Sequence, residues 1–364
     1  MRLLDRYLLR ELLVPLGYCL GGFLILWIAF DMFSELGGMQ DDQMSARDIA
    51  NYYCFSIPQF LPVALPVALL LALLYALTNH ARHHELTAIR AAGVSLGRLC
   101  APYLGIGFLA GAALFLMNEY CSPWAADIAE RIRDPHPKPR PLSFHNTPAR
   151  RFWVIGTYNP VTGEMTSPMV DWQSSNGLWR QISADRAIRT NGAWTFYCVN
   201  EYKQYATHSP AVALPHTNVM AFPEFTETPA MIRIQMQISD QFRHQTRTHR
   251  ADIPLRVIRD FLRLNPTPEP GLRVWLDTKL HGRFAGVFTC LVVVVIAVPF
   301  AAASGRRNVF VGVAASITFF FVYYLLQQVG FAYGQAGRVP PWLGAWLPNL
   351  VFGIAGLWMM TRVR

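Results

Sequence analysis

Residues 57–93 read IPQFLPVALPVALLLALLYALTNHARHHELTAIRAAG. The first part, 57–78, holds no Asp, Glu, Lys or Arg. A bilayer core of about 30 Å takes about 20 helical residues, so this run is long enough to cross one. The last part, 83–93, is charged, and it is too short and too polar to cross. Taken alone, the apolar run fits a buried helix of a large soluble protein as well as a membrane span.

Outward from it, the same pattern recurs. Residues 13–30, 99–117, 284–304, 309–330 and 339–361 are also free of Asp, Glu, Lys and Arg. The whole chain is 52% hydrophobic and 15% charged, against about 25% charged in an ordinary soluble domain. Six such runs predict a polytopic α-helical membrane protein with six transmembrane helices. The first run lacks the small-residue pattern of a signal-peptide cleavage site. The lead before it, MRLLDRYLLRELL, sets Leu3, Leu4, Tyr7, Leu8 and Glu11 at helical spacing. It is expected to lie along the inner interface before turning into the membrane.

Orientation follows from Lys and Arg in the short loops. Arg2, Arg6 and Arg10 precede the first run, and Arg82, Arg90 and Arg98 separate the second from the third. Arg306 and Arg307 lie between the fourth and fifth, while Arg362 and Arg364 follow the sixth. The opposite short loops carry only Arg338, near 331–341. Both termini are therefore expected in the cytoplasm. The net charge of +9 reflects this placement, and nothing calls for nucleic acid. Cys19, Cys54, Cys100 and Cys290 fall in or beside spans as small hydrophobes. Cys121 and Cys198 fall outside the membrane, where they could pair.

Residues 122–270 differ in composition. After a Pro-rich basic linker come FWVIGTY, MVDWQ, WRQISADRAIRT, AWTFYCVNEYKQY and IRIQMQI, rich in the β-branched and aromatic residues of half-buried strands. Asn191-Gly192 is a hairpin signal. This predicts an inserted all-β domain outside the cytoplasm, a sandwich or an open roll. Trp153, Ile155, Trp194 and Phe196 should face one open apolar interior. Near its end, DIPLRVIRDFLRL returns to helical spacing. The domains are then 1–121 with three spans, 122–270 the β-domain, and 271–364 with three more spans.

Catalytic and metal motifs are missing. No G-x-x-x-x-G-K-[ST] loop occurs, so the chain is not expected to hydrolyse ATP itself. His83-His84-Glu85 begins like a zinc helix, but H-E-x-x-H needs His where Ala88 stands. The middle of every span lacks the ionisable residues that ion-coupled transporters keep there. The chain has the walls of a transport path and no motor, which points to a separate subunit. In 83–93, taken as a helix, Leu86 and Ile89 share a face with Val94, while His83, Glu85, Thr87 and Arg90 point elsewhere. Gly93 supplies a stop. Such a helix can dock in the groove of a soluble partner, with no core packing dependent on it. A helix lying on the lipid surface fits the same pattern.

Here the sequence resembles a known family, the lipopolysaccharide-export permeases of the LptF/LptG type. The resemblance runs through LDRYLLRE, HELTAIRAAGVS, the β-domain, RFAGVFTCLVVVVIAVPF, YYLLQQVGFAYGQAGRVPPWLGAWLPN and LWMMTR. The closing RVPPWLGAWLPNLVFGIAGLWMMTR looks more like the LptG side. The resemblance implies a non-catalytic inner-membrane subunit paired with a second permease on a dimeric LptB-type ABC ATPase. That ATPase consumes the ATP, and this chain binds no cofactor. The resemblance also implies that the inserted all-β domain is periplasmic and jelly-roll-like, and that lipopolysaccharide is taken from the inner membrane and passed through it to periplasmic bridge proteins of the LptC and LptA type. By resemblance Glu85, Leu86, Ile89, Arg90 and Gly93 form the ATPase-coupling helix. The family often has lysines at the outer end of span one, where this chain has Asp31, Ser34 and Glu35. The candidates for lipid contact are Asp31 and Glu35, the basic substitutes Arg131, Arg133, Lys279, Arg283 and Arg338, each of which also fits a membrane-interface anchor, and the sheet residues Trp153, Ile155, Trp194 and Phe196. The alternatives are an ATPase-independent lipid transporter and a structural membrane anchor for periplasmic partners.

Overall fold

The computed structural model describes residues 3–41, 44–133, 140–146, 149–159, 162–173, 178–190, 192–204, 212–243, 253–303 and 309–362. It divides into two compact units. One, of helices, comprises 1–133, 250–254 and 273–364. The other, built on a sheet, comprises 134–249 and 255–272.

In the helical unit, α1 runs Leu3–Asp41, α2 Ala46–Arg82, α3 Glu85–Ala91, α4 Leu96–Leu116 and α5 Ser122–Arg133. Among the described residues, five stretches are long and apolar enough to cross a membrane: Leu3–Met39, Ala46–Arg82, Gly97–Arg133, Pro270–Val298 and Pro341–Thr361. The remaining uncharged run falls on a helix at Val309–Gln335, which has no Asp, Glu, Lys or Arg.

Two expectations change here. The amphipathic lead does not turn before the membrane: α1 is one helix, with Pro15 inside it. Leu8 and Leu12 are buried in a cluster with Leu69 and Leu73 of α2, Leu99 and Tyr103 of α4 and Val294. Leu4, Leu8 and Leu12 of the lead therefore pack on protein, while Leu3 and Tyr7 stay exposed. Residues 122–133 likewise belong with the helices and not with the sheet. A π-helical turn, Met117–Cys121, carries α4 into α5, and the Trp124 ring meets Phe55 of α2 at 5.8 Å.

Proline shapes α2, whose start is fixed by a capping box between Ser45 and Asp48. Pro58, Pro62 and Pro66 lie inside it. Pro62 has no N–H to give the carbonyl of residue 58, which is left without its helical donor. The Ser122 hydroxyl of α5 donates to that carbonyl at 3.1 Å, the kind of repair that lets proline persist in apolar surroundings. Glycine allows close approach elsewhere. A Cβ on Gly111 would lie 2.0 Å from the Val287 carbonyl oxygen, so only glycine lets α4 sit against that helix.

The sheet unit holds β1 Arg140–Asn146, β2 Arg151–Tyr158, β3 Met165–Gln173, β4 Trp179–Ser183, β5 Arg186–Thr190, β6 Ala193–Gln204, β7 Val212–Ala213 and β8 Thr217–Phe222. All pairings are antiparallel. β4 and β5 together fill one strand position between β3 and β6, and β7 and β8 pair the far edge of β6. The sheet is thus a meander in chain order. The run WRQISADRAIRT breaks at Ala184 and Asp185, and non-glycine residues with positive φ stand opposite the break, Ser167 at 48° and Cys198 at 56°. Each adds one residue and resets the alternation. Buried positions on β3 go from 165 to 168, 170 and 172; on β6 they go from 194 and 196 to 199 and 201. Gly192 has φ 84°, as the β5–β6 hairpin requires, while Asn191 lies outside the described residues.

Three more helices follow the two units' remaining chain, after α6 at Pro229–Arg243 and α7 at Leu255–Leu264: α8 Pro270–Ala303, α9 Val309–Gln335 and α10 Pro341–Arg362. The helix α6 corrects the strand reading of IRIQMQI. Thr228 caps it, its hydroxyl accepting from Met231 N at 3.3 Å, and Pro229 takes the first helical position, where no N–H is needed. Ile232 then packs into the sheet's core with Met236 beside it. The helix α7 stands where helical spacing placed it.

Candidate functional site

The chain leaves α2 through a tight turn. His83 N donates to Asn79 O at 3.1 Å, and His84, with φ 59°, redirects the backbone so that α3 starts at Glu85. Gly93, with φ 81°, ends the segment as expected, and Val94 N returns to Ile89 O at 3.3 Å. Ser95 then opens α4, its hydroxyl accepting from Arg98 N. Residues 93–97, GVSLG, match the G-x-S-x-G pattern of a hydrolase nucleophile. Here that serine is a helix cap between two spans and not the end of a strand.

Three helices hold this segment. His80 of α2 is 1% exposed, and its Nδ1 lies 2.7 Å from Glu85 Oε2. A carboxylate only accepts, so Nδ1 carries the hydrogen. Tyr7 of α1 donates its hydroxyl to the same oxygen at 3.0 Å, and its ring centroid is 5.7 Å from that of His80. Arg98 of α4 donates to both oxygens of Asp5, at 3.0 and 3.2 Å. The hydrogen bond from His80 holds the Glu85 carboxyl below its ordinary pKa; burial opposes it, and Tyr7 adds to it.

Glu85 keeps a side open. Its side chain is 37% exposed, and Thr87, Ala88, Ala91 and Gly93 are exposed beside it. Ile89 faces inward against the cluster holding Leu8, Leu77 and Leu99. The expectation that no core packing depends on this helix is therefore corrected. The side chains of Leu86 and Arg90 lie outside the described residues. His80, Tyr7, Asp5 and Arg98 were missed from sequence. The available signal was a His ending an apolar run five residues before a Glu.

The lipid-contact candidates are mostly engaged within the chain. Asp31 is buried and accepts from Tyr53, while Glu35 of α1 pairs with Arg133 of α5. Arg283 donates to the Asn118 carbonyl of the π-turn at 3.0 Å. Lys279 lies over Trp275 and Arg338 over Tyr333, and Arg131 is exposed. Cys121 and Cys198 are both free thiols.

In the sheet unit, Trp153, Ile155, Trp194 and Phe196 do share one interior, each at 0% exposure. That interior is closed. The Trp153 ring lies 5.4–6.2 Å from Trp194, Phe196 and Phe225, and Phe222 stacks on Phe225 at 4.9 Å. Rings of this size fill the space between the strands, so among the described residues these four line no open path. Glu227 seals one side: it accepts from Asn146 Nδ2 at 2.6 Å, Arg151 Nη1 at 3.1 Å and Trp153 Nε1 at 3.2 Å. Among the described residues this unit also has a cleft of about 730 Å³ lined by His145, Phe152, Asp171 and Trp179 with Phe242 and Asn265.

A span-rich chain with an inserted antiparallel sheet and a short helix pinned between spans two and three matches one family model. That model, the lipopolysaccharide export system permease LptF/LptG, covers residues 6–362. The chain belongs to that family. No individually curated protein matches it. The match makes the chain a transport permease of the lipopolysaccharide export system and accounts for its apolar helices and inserted sheet. The permease carries no group of three or more His, Cys, Asp or Glu placed to hold a metal among the described residues.

Proposed function

We propose that this permease is the non-catalytic membrane subunit of an ABC transporter, taking lipopolysaccharide from the inner membrane and passing it to a periplasmic bridge. It works beside a second permease of the same family, on a dimeric ATPase that consumes the ATP. Both termini lie in the cytoplasm and the sheet unit in the periplasm, a reading supported by Arg in the short loops.

One observation carries the coupling role: α3 is fastened on one face and exposed on the other. Glu85 and Ile89 tie it to the helical unit, while Thr87, Ala88 and Ala91 remain exposed. A helix lying on lipid would turn its apolar residues outward, and of these Ile89 is instead turned to the core. An exposed face of small residues beside a half-open carboxylate suits the groove of a soluble partner bearing a cation.

The test is co-purification and export. Glu85→Ala removes a charge-assisted contact, and ATPase retained on the complex should fall by about tenfold or more, with lipid-stimulated turnover falling alongside. A variant that keeps its ATPase and exports at the normal rate would falsify Glu85 as the contact.

A further inference from the structure

We propose that His80 and Tyr7 are positioning residues that lock α3 to the inner ends of α2 and α1, so that motion imposed on α3 is delivered to both spans. The inference rests on the coupling reading above and adds to it the route by which force leaves the helix.

The geometry divides the Glu85 carboxylate between two tasks. Oε2 takes both intramolecular hydrogen bonds, from His80 Nδ1 and Tyr7 Oη. Oε1 accepts none among the described residues. A carboxylate offers about four acceptor sites, and this side chain is 37% exposed, so Oε1 can receive a cation while Oε2 stays held. A partner that pulls on Glu85 therefore pulls on two helices.

The two anchors differ in kind. His80 is buried, and its Nε2 has no partner among the described residues. An unpartnered polar atom inside a helix bundle is a cost that a purely structural residue would avoid, since leucine would fill the same volume without it. That cost makes sense if the Nδ1 bond does a job that packing cannot. Tyr7 is 43% exposed, so its ring adds little burial, and its hydroxyl is what reaches Glu85. Among the described residues, α3 without these bonds would be held by its turns and by Ile89. Arg98 and Asp5 tie α4 to α1 one step away, leaving the Glu85 node as the polar side-chain link made directly to α3 among the described residues.

The experiment uses the complete complex of both permeases and the ATPase in vesicles loaded with lipopolysaccharide, reading ATP hydrolysed per lipid exported. His80→Leu should raise that ratio by about tenfold, the factor set by one hydrogen bond to a charged group. His80→Asn should bring it back to within about twofold, because the asparagine amide nitrogen occupies the place of Nδ1 and donates from there. Rescue by Asn is what a packing role does not predict, since Asn fills the space worse than Leu. A His80→Leu ratio equal to wild type, or an Asn variant as uncoupled as Leu, overturns the lock. Should His80→Leu fail to insert, Tyr7→Phe, which deletes one oxygen, carries the test, and an unchanged ratio there overturns it too. Wild-type vesicles that burn ATP and export nothing sink the functional reading itself, whereas wild-type export with an unaltered His80→Leu sinks the lock alone.

Discussion

Glu85 and Glu227 are both glutamates that gather hydrogen bonds from distant parts of the chain, yet they are built for opposite ends. Glu227 is 2% exposed and saturated: an amide, a guanidinium and an indole donate to its two oxygens, and its backbone carbonyl takes Trp194 Nε1 at 2.7 Å. Glu85 is 37% exposed and half used. A buried carboxylate must be fully satisfied or it destabilises the fold. One at the surface can leave an oxygen open, because water covers it until a partner arrives. The first design serves stability, and the second leaves an oxygen for the contact proposed above.

The sharpest way to break this contrast is to truncate the buried member. Glu227→Ala leaves Arg151 and the Trp153 indole without their acceptor inside the sheet unit. Removing one partner of a buried pair costs about 3–5 kcal/mol. The full-length permease in detergent should then lose the sheet unit to brief proteolysis at temperatures where wild type resists. Resistance equal to wild type would show that the Glu227 node is not what closes this core. Glu227→Gln, which keeps an acceptor for Trp153 but loses the charge, should fall between.

How much of this was legible beforehand depended on who the partner was. The spans were legible because hydrocarbon forbids charge along about 20 residues, and that leaves a mark on composition alone. Strand alternation exposed Trp153, Ile155, Trp194 and Phe196 as one face, because a sheet with a buried side must alternate. The same rule misread IRIQMQI, where Ile232, Met236 and Ile238 fit both periods and only the Thr228-Pro229 start favours a helix. The closed interior was illegible, since the sequence fixes which face is apolar but not whether rings from other strands fill it. The Glu85 node was illegible for a related reason. Tyr7 and Glu85 are 78 residues apart, and only the packing of α1 against α2 brings them together.

A smaller effect is expected where one neutral hydrogen bond repairs a helix. Ser122→Ala removes the donor to the Pro58 carbonyl. Among polar contacts between membrane helices the average is about 0.6 kcal/mol, and an unsatisfied carbonyl raises that to about 1 kcal/mol. The thermal midpoint of the purified permease should fall by a few degrees at most, as about 1 kcal/mol implies. Pairing the change with Pro62→Ala, which restores the helical N–H to residue 58, should remove the loss. A Ser122→Ala penalty that persists on the Pro62→Ala background would mean the hydroxyl acts through something other than this carbonyl.

The smallest stability effect belongs to Glu85, and it closes the comparison. Glu85→Ala gives up two hydrogen bonds, a longer list than Ser122→Ala, so counting bonds alone predicts a larger loss. Exposure argues the reverse. Water reaches this side chain and can take over the Tyr7 hydroxyl, and surface substitutions of this kind stay within about 0.5 kcal/mol. The midpoint of Glu85→Ala should therefore match wild type, while amide exchange across 83–93 quickens because α3 loses its hold on α1 and α2. His80 tests the limit of this argument, since its Nδ1 would be left buried without an acceptor. If Glu85→Ala melts as early as Glu227→Ala, the carboxylate at α3 is a structural keystone, and the division between a saturated node and an open one fails.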